Sequence, residues 1–470
     1  GGKLIPATWD AAIKFAADKL KEHGKNVGVI ASPRLTNEAV FTLNRFANEA
    51  AGSSSIAVSD VSDLAPVFEN LSVPLCTHKE IRFAKTIVLI GGEPEEEQSY
   101  TAKQIRQAVR NGGAKFICVN DTPINLSRRA TQSIHVNAGS IDAFALAFAD
   151  GTSSPMAAGK LGIDASEIDA VRKTISETEG EVIIMFGSEL SPEAQAAIAA
   201  SASGFAADDR RVTLHPLPKY NNSVGAHDMT PGRKSVDDVV KGSKALLIGG
   251  SLHDASVLSG KDFVVVQELF QTATTDHADV VFPAASFAEV DGTFTNNAGN
   301  VQRVRKAIEP VHQSKPDWMI TALIAREMGT EFGYDFSASM VFKALADATP
   351  AYEGLRYPAL KDESEPVQAK YAVKSGDASA YVSALRTKVE AMSDTAEKIT
   401  EVPRIGHKLH RLTTMTSKTD QFHLLAHGNP KPLNLLVSPL VQFGLDGVST
   451  DEGLAEAAAV GVSDRSAPGK

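Results

Sequence analysis

Cysteine is scarce in this chain of 470 residues, which contains only Cys76 and Cys118. Two thiols so far apart in the sequence form no disulfide framework and favour a reducing compartment. They are also too few for an iron–sulfur cluster built from protein cysteine alone, because a cubane cluster takes four thiolates and a binuclear one takes four, or two with histidines. The sequence therefore indicates two isolated thiols.

Long apolar runs and an excess of basic residues are missing as well. No apolar run approaches the ~18 residues needed to span a bilayer, so direct membrane insertion is not expected. The formal charge is −10, from 47 Lys and Arg against 57 Asp and Glu, which argues against a nucleic-acid surface. No signal peptide is recognisable, and the chain opens in mid-motif on GGKLIPATWD. The sequence also has no P-loop, GxGxxG fingerprint or GxSxG elbow.

The chain does contain a recurring order of buried strand, turn and helix. The first unit has a strand over residues 26–31 and a helix over 37–51, after a helix that Thr8 is expected to cap. Strands alternating with helices predict parallel sheets joined by right-handed crossovers. The number of such strands and the chain length predict two Rossmann-like α/β domains. Similar strand patterns follow around residues 85–97, 114–120, 181–193 and 244–254.

The stretch over residues 262–308 combines short apolar runs with a segment rich in Gly, Asn, Thr and Ala. Its first run, residues 263–266, has the length and composition of a strand that is buried on both faces. Gly292 and Gly299 lie where a backbone turns sharply or approaches another group closely. Such a segment is typical of a cleft wall at the ends of strands in an open α/β sheet.

This stretch resembles the signature of the molybdopterin oxidoreductase superfamily. Its segment FAEVDGTFTN, followed by VQRVRKAI and KPDWMI, is most similar to the large iron–sulfur subunit of NADH:quinone oxidoreductase, respiratory complex I. The opening SPRLTNE is similar to the family's first βα unit. The residues that match the signature are Glu268, Phe270, Thr272, Thr275, Ala278, Asp279, Pro283, Ala284, Glu289, Gly292, Thr293, Phe294, Asn296, Gly299, Val301 and Gln302.

The resemblance implies that one α/β domain is inserted into the other. We expect a discontinuous domain A over residues 1–57 and 235–335, and an inserted domain B over 58–234. A C-terminal region of helix, short strands and a disordered tail is expected over 336–470. The expected fold class is therefore α/β, with two Rossmann-like parallel-sheet domains of molybdopterin-oxidoreductase type and a small mixed C-terminal region.

The resemblance also implies where a cofactor lies in family members. Two pterin nucleotides occupy the cleft between the α/β domains, and the metal takes a further ligand from a Cys, selenocysteine, Ser or Asp side chain. That ligand falls in a window corresponding to residues 53–64, which contains no cysteine but several serines and aspartates. The vestigial pterin-cleft positions implied in this chain are Gly91, Gly92, Gly249, Gly250, Glu268, Thr275, Asp291 and Gly292.

The residues that follow Gly91 and Gly92 indicate whether a phosphate binds at this turn. Phosphates are held by backbone N–H groups and helix N-termini with cations nearby. A carboxylate 4 Å from such a group costs on the order of 4 kcal/mol at an effective dielectric constant of ~20. The alternative is a first helical turn whose acidic residues stabilise the helix dipole. The sequence predicts no nucleotide at this turn because the glycines are followed by Glu93, Glu95, Glu96 and Glu97.

Histidine provides the one metal-like spacing. His423 and His427 lie four residues apart in HLLAH, and His407 and His410 lie upstream. Zinc takes three or four ligands, and the glutamate of HExxH is missing. The alternative is a helix C-terminus, where histidines interact favourably with the dipole. A basic stripe, which either meets an anionic ligand or faces solvent or an interface, comprises Arg303, Arg305 and Lys306.

These observations predict the molybdopterin-oxidoreductase-like region of the complex I large subunit, acting as a structural scaffold of the peripheral electron-transfer arm. The chain alone would have no catalytic residue, metal or cofactor, and the iron–sulfur clusters would lie in a cysteine-rich region N-terminal to it. It would be a fragment or split form of that subunit, with other peripheral-arm subunits as partners. Its location would be peripheral, on the cytoplasmic face of the inner membrane or the mitochondrial matrix side. The alternative is a catalytic molybdenum or tungsten bis-pterin oxidoreductase subunit of formate dehydrogenase type, and a third class is a free-standing ligand-binding module.

Overall fold

Two parallel β-sheets of five strands each organise the computed structural model of the chain. The first, called sheet A here, consists of β1 (Val27–Ala31), β2 (Ile56–Val58), β8 (Ala245–Gly249), β9 (Phe263–Glu268) and β11 (Val280–Pro283). These strands lie in the order β11-β9-β8-β1-β2, and all neighbours are parallel. The central strands β1, β8 and β9 are buried over their whole length. The predicted buried strand at residues 263–266 is therefore confirmed.

The second sheet, called sheet B, is also wholly parallel. Its strands are β3 (Thr86–Ile90), β4 (Lys115–Asn120), β5 (Gln132–His135), β6 (Gly180–Gly187) and β7 (Arg210–Leu217). They lie in the order β5-β4-β3-β6-β7. The central strand β3 carries only apolar and β-branched residues, TIVLI, because both of its faces pack beneath helices.

All five strands of sheet B lie between β2 and β8 in the chain, so one sheet is inserted into the sequence of the other. The predicted fold class of two parallel α/β sheets is confirmed. The domain limits after residues 57, 234 and 335 stay predictions. The structure describes residues 4–60, 63–361, 366–375, 377–393 and 397–399, together with the backbone of residues 431–432.

Helices cover both faces of each sheet. The helices of the sheet A sequence are α1 (Trp9–His23), α2 (Asn37–Arg45), α12 (Val236–Gly242), α13 (Ala273–Asp276) and α14 (Asp317–Met328). Thr8 caps α1 by accepting a hydrogen bond from the Ala11 N–H, as predicted, and Thr36 caps α2 in the same way. The predicted helix over residues 37–51 ends earlier as an α-helix, because a π-helical turn replaces it over Phe46–Ala50.

The helices of the sheet B sequence form a longer series. They are α3 (Ala65–Glu69), α4 (His78–Ile81), α5 (Pro94–Glu97), α6 (Ser99–Gly112), α7 (Ile141–Asp150), α8 (Ser154–Leu161), α9 (Ala165–Ser176), α10 (Pro192–Ser201) and α11 (Ser223–Met229). Two helices lie nearer the C-terminus, α15 (Ala338–Ala348), which packs in the core of sheet A, and α16 (Ser379–Glu390). One apolar cluster lies on each face of sheet B. One of these clusters also receives Leu385 and Val389 of α16, so a late helix completes the core of sheet B.

A β-hairpin follows sheet A and projects toward sheet B. It is formed by β12 (Gly292–Thr295) and β13 (Asn300–Val304), and β14 (Val367–Gln368) pairs with β13. The short strand β10 (Phe270–Gln271) pairs with β15 (Lys431–Pro432). Within the described part of the chain, no helix is long and apolar enough to cross a bilayer. The predicted histidine site at His407, His410, His423 and His427 lies outside the described residues.

Candidate functional site

The eight predicted cleft positions lie in three places of the fold. Four follow or end strands at the carboxyl edge of sheet A, namely Gly249, Gly250, Glu268 and Thr275. Two directly follow β3 at the carboxyl edge of sheet B, namely Gly91 and Gly92. The last two, Asp291 and Gly292, lie at the start of the hairpin strand β12. Among them, Gly250 and Glu268 line one small cavity together.

Several of these positions make contacts that support the fold itself. A Cβ atom on Gly249 would lie 2.8 Å from Leu43 Cδ1, so this glycine allows α2 to approach the sheet. A Cβ atom on Gly292 would lie 2.7 Å from Thr36 Cγ2, so the hairpin also needs glycine to reach α2. Thr275 is buried in the first turn of α13. These three residues position the carboxyl edge of sheet A.

The small cavity at the carboxyl edge of sheet A has a volume of about 70 Å³. Glu268 accepts hydrogen bonds there from Ser251 Oγ at 2.6 Å and from the Leu269 N–H at 2.7 Å. Burial and the negative charge of Glu268 raise the pKa of Asp317 to about 8. The indole N–H of Trp318 is buried in the cavity wall without a hydrogen-bond partner in the described structure. The wall of the cavity therefore contains a donor without a hydrogen-bond partner among the described residues.

A much larger cleft, of about 1130 Å³, separates the hairpin β12–β13 from sheet B. Its sheet B side is formed by α4, α6 and the segment after β7. Four cationic side chains line it, Lys79, Arg82, Lys219 and Arg303, against the single carboxylate of Glu97. In a chain with a net charge of −10, this concentration of positive charge favours an anionic ligand.

Arg303 is the most constrained of these cations. Its guanidinium lies 4.2 Å from the centre of the Tyr357 ring, and its Nη2 lies 3.4 Å from an Asp291 oxygen. Its Nε is buried and makes no hydrogen bond within the described part of the chain. Of the predicted basic stripe, Arg303 thus faces the cleft, whereas Lys306 forms an exposed ion pair with Glu309.

Asn297, in the hairpin loop, connects the two sides of the cleft. Its Nδ2 lies 2.9 Å from His215 Nε2 and 2.8 Å from Gln98 Oε1. His215 Nδ1 lies 3.1 Å from the Cys76 carbonyl, which can only accept, so Nδ1 carries the proton and Nε2 accepts from Asn297. Burial lowers the pKa of His215 to about 3, which keeps the ring neutral.

The Gly91–Gly92 turn is already in contact with a carboxylate. Both glycines have positive φ angles, +68° and +78°. The Gly92 N–H donates a hydrogen bond to Glu189, which follows β6. Burial raises the pKa of the Glu189 carboxyl, and the nearby negative charges of Glu97 and Asp121 raise it further. The sequence predicts that the acidic residues Glu93 to Glu97 disfavour a phosphate at this turn. Glu189, which lies outside that run, adds a further carboxyl group in direct contact with the turn.

In the described part of the window over residues 53–64, two serines and one aspartate already have partners. Ser53 Oγ and Ser59 Oγ each lie 3.4 Å from a backbone carbonyl oxygen. Asp63 forms an ion pair with Arg233. Among the residues that the structure describes, no group of three or more His, Cys, Asp and Glu side chains is arranged around a metal position.

A buried polar network behind the cleft was not predicted from the sequence. Glu38 accepts hydrogen bonds from the Thr293 N–H at 2.8 Å and from Tyr357 Oη at 2.9 Å. Burial raises the pKa of Glu38 to about 7. Asp228 is half-buried as a residue, and burial of its carboxyl raises the pKa to about 7. The polar residues in the TNE and GTFT segments could have indicated this network, since buried polar side chains need partners.

Comparison with known proteins relates this chain to molybdopterin oxidoreductases. The model of the molybdopterin oxidoreductase family matches residues 1–327. The alpha subunit of formate dehydrogenase 2 from Methanococcus maripaludis is 25% identical over 443 residues, covering 76% of this chain and 65% of that protein. The formate dehydrogenase alpha subunit from Methanocaldococcus jannaschii is 26% identical with the same coverage. This chain thus spans less than two thirds of the length of these relatives.

A solved structure supports the same fold. Acetylene hydratase from Pelobacter acetylenicus superposes with a TM-score of 0.59 at 15% sequence identity. The similarity covers 78% of this chain and 65% of the hydratase chain. At this level of identity the comparison shows the shared architecture.

These findings correct the predicted identity. The prediction of a complex I scaffold is wrong, and so are the predicted peripheral-arm partners, because the relatives are formate dehydrogenase subunits. The prediction of a chain with no cofactor or catalytic centre is contradicted by the family match and by these relatives. The error has a physical origin. The signature over residues 268–302 builds a sheet edge and a hairpin of the fold, and these elements do not specify a partner subunit or a reaction.

Proposed function

The chain belongs to the molybdopterin oxidoreductase family, and we propose that it is the α/β cofactor-binding portion of a molybdenum or tungsten bis-pterin oxidoreductase of formate dehydrogenase type. The formate dehydrogenase relatives support the reaction class. Because the chain spans 65% of their length, it would act together with further protein that completes the enzyme.

The cationic cleft is the observation that carries this proposal. A pterin dinucleotide is a large ligand with negatively charged phosphates, and the cleft of about 1130 Å³ has room for it. The four cations on its walls, Lys79, Arg82, Lys219 and Arg303, would neutralise phosphate charge. Arginine also binds phosphate oxygens through two N–H groups at once, and Arg303 has an unused buried Nε for this purpose.

The carboxyl edge of sheet A would bind a second part of the ligand. The unpaired Trp318 N–H in the small cavity would donate to a ring nitrogen or oxygen, and Gly250 keeps the cavity open beside Ser32. When bound, a bis-pterin metal centre supplies two-electron redox chemistry. The residues of this chain would bind and orient it, and the neutral His215 would add no charge beside the cleft.

The Gly91–Gly92 turn fits the group less well. It has the backbone conformation of an anion-binding turn, yet it holds the Glu189 carboxylate. A phosphate could bind there only after this side chain moves, since two anions cannot share one donor at low cost.

Cofactor content of the purified protein tests the proposal. The chain would be produced in cells supplied with molybdate or tungstate, and the protein analysed for metal by mass spectrometry and for released pterin by fluorescence. We expect molybdenum or tungsten together with pterin. Lys219→Glu should lower the pterin content several-fold, because it places a negative charge in the cleft. The matched control is Lys241→Glu, on the exposed surface of α12.

Two results would refute the proposal. Protein without metal and pterin, produced in cells that load other enzymes of this type, would show that the cleft takes another ligand. Equal pterin content in the Lys219 and Lys241 variants would show that the cationic cleft does not bind the cofactor. A location at the cytoplasmic face of the inner membrane stays a prediction, which cell fractionation would test.

A further inference from the structure

We propose that the end of the cationic cleft between α4 and α6 is a binding site for a nucleoside phosphate, with Tyr100 as the platform for the base and Arg82 as a partner of the phosphate. The inference rests on the proposed function, because it concerns the same cleft and a pterin dinucleotide contains such a group. A free nucleotide of the cell is the second source of this chemistry. None of the eight predicted cleft positions lies on these two helices.

The two helices each turn a pair of side chains toward the cleft. His78 and Arg82, in and directly after α4, are four residues apart, and both line the cleft. Tyr100 and Gln104 of α6 have the same spacing and line it as well. Residues at this spacing share one face of a helix. Because the ring centres of His78 and Tyr100 lie 5.5 Å apart, the two pairs form one continuous surface.

Tyr100 provides an accessible aromatic ring on this surface. Its exposed fraction is 55%, although it lines a concave part of the molecule. The His78 ring is tilted against it by 57°, so the two rings form a corner. Lys103 Nζ lies 6.0 Å from the centre of the Tyr100 ring and adds positive charge beside it. An exposed ring with cations nearby is the kind of surface on which nucleic-acid bases stack.

His78 and Gln104 supply hydrogen-bonding groups next to this ring. Burial lowers the pKa of His78 to about 4, so its imidazole is neutral at pH 7 and has one donor and one acceptor nitrogen. Gln104 is only 5% exposed, and its buried Oε1 has no hydrogen-bond partner among the described residues. Proteins recognise an unstacked base by stacking on its face and hydrogen bonding to its edge. An N–H group of a base would supply the donor that Gln104 lacks.

The cations at this end of the cleft are available to a phosphate. The Arg82 guanidinium lies 4.5 Å from the centre of the Phe83 ring, and neither it nor Lys79 forms an ion pair within the part of the chain that the structure describes. Arg106, further along α6, is by contrast paired with a glutamate. Glu97 is the single carboxylate of the cleft lining. Arginine binds phosphate oxygens through charge-assisted hydrogen bonds, so this surface suits a phosphate, unlike the carboxylate-rich Gly91–Gly92 turn.

Binding of guanosine monophosphate tests the site. This nucleotide is the probe because its base carries both N–H donors and an oxygen acceptor. It would be titrated calorimetrically into chain purified from cells that make no pterin cofactor, and we expect saturable binding. Tyr100→Ala should weaken this binding roughly tenfold, because it removes the stacking surface. Tyr100→Phe, which restores a ring, should recover the affinity lost in Tyr100→Ala.

Arg82→Gln separates the contribution of the phosphate from that of the base. It should weaken the binding of guanosine monophosphate roughly tenfold, because it removes a charged partner of the phosphate. It should weaken the binding of guanosine, which has no phosphate, much less. The matched control is Arg110→Gln, which changes an exposed cation in the last turn of α6 outside the cleft lining and should match wild type for both ligands. Thermal melts establish that each variant is folded.

Three results would overturn the proposed site. They are the absence of saturable binding of guanosine monophosphate by folded wild type, equal affinities of wild type and Tyr100→Ala, and inorganic phosphate that binds as tightly as the nucleotide. The third result would reveal a plain anion site without a place for the base.

Chain purified with its pterin distinguishes the two sources of the nucleotide. Binding of guanosine monophosphate that is lost in the loaded chain assigns the site to the nucleotide part of the cofactor, and binding that persists assigns it to a free nucleotide. The proposed function is judged separately by pterin content. Pterin in wild type without nucleotide binding by the pterin-free chain refutes the site alone. Nucleotide binding by a chain that never carries pterin keeps the site and refutes the proposed function.

Discussion

Three carboxyl groups have pKa values raised toward neutrality, and burial is the first cause for each. The pKa of Glu38 and of Asp228 lies at about 7, and that of Asp317 at about 8. A group whose pKa is higher in the folded than in the unfolded state stabilises the fold below its unfolded pKa. This contribution is lost as the pH rises through the folded value. The stability of the chain should therefore decrease as the pH rises from about 4, where these carboxyls ionise in the unfolded chain, to about 8, and these groups should cause no further change above that pH.

Tyr371→Phe tests this linkage at Asp228. The Asp228 carboxylate accepts from Tyr371 Oη at 2.7 Å and from Tyr352 Oη at 2.8 Å. Removing one donor from a buried carboxylate costs roughly 1–3 kcal/mol when the group is ionised. Because the pKa of Asp228 is about 7, the loss should be larger at pH 8.5 than at pH 5.5. Urea unfolding at both pH values measures it.

The control for this variant is Tyr381→Phe, which changes a partly buried tyrosine packed on the core of sheet B. Its effect should be small and equal at the two pH values. A loss for Tyr371→Phe that does not depend on pH would show that Asp228 stays in one ionisation state over this range.

At the scale of elements, the edge strand β11 shows how one strand joins a helix to the sheet. Its residues alternate in burial, unlike the wholly buried β1, β8 and β9. Phe282 is fully buried and stacks on Trp9 of α1, with the ring centres 5.5 Å apart. The preceding residue, Val281, is only half-buried. The inward side chain of β11 therefore fastens α1 to the sheet.

Phe282→Ala should cost about 3–5 kcal/mol of unfolding free energy, because it leaves a cavity beside Trp9. Val281→Ala is the matched control on the same strand and should cost clearly less. Chemical denaturation with Trp fluorescence measures both. Similar losses for the two variants would mean that strand propensity, and not the contact with α1, determines the contribution of β11.

At the scale of the whole molecule, the hairpin β12–β13 is the part of the sheet A sequence that reaches sheet B. Asn297 in its loop bonds His215 and Gln98, and the cleft lies beside this contact. Gly292 and Glu38 hold the other end of the hairpin against α2. The width of the cleft is therefore determined by a short hairpin that is fastened at both ends.

Asn297→Ala should destabilise the chain by roughly 1–3 kcal/mol, because it removes the nearest donor to the buried Nε2 of His215 and leaves only the Thr101 hydroxyl at 3.5 Å. It should also weaken pyrophosphate binding in the cleft. Asn221→Ala, which changes an exposed asparagine of the cleft rim, is the control and should leave stability unchanged. Calorimetric melts and titrations compare them. An unchanged melting temperature for Asn297→Ala would show that other contacts connect the hairpin to sheet B.

The local elements could be predicted from the sequence because their causes are local. The apolar run at residues 263–266 is a buried strand, and Thr8 caps a helix by accepting a bond from the residue three positions later. The signature at residues 268–302 identified the family because it encodes a sheet edge and hairpin. These features depend on neighbours in the chain, so composition and spacing are sufficient to indicate them.

The contacts between distant residues were decided only by the tertiary structure. Glu189 reaches Gly92 across 97 positions, and Glu38 meets Tyr357 across 319. No local pattern marks such pairs, because parallel strands bring residues together through crossovers of variable length. The cationic cleft likewise combines Lys79, Lys219 and Arg303 from segments that are scattered in the sequence. The sequence determined the strands and the family. The insertion of the sheet B strands between β2 and β8 of sheet A determined which charged residues meet.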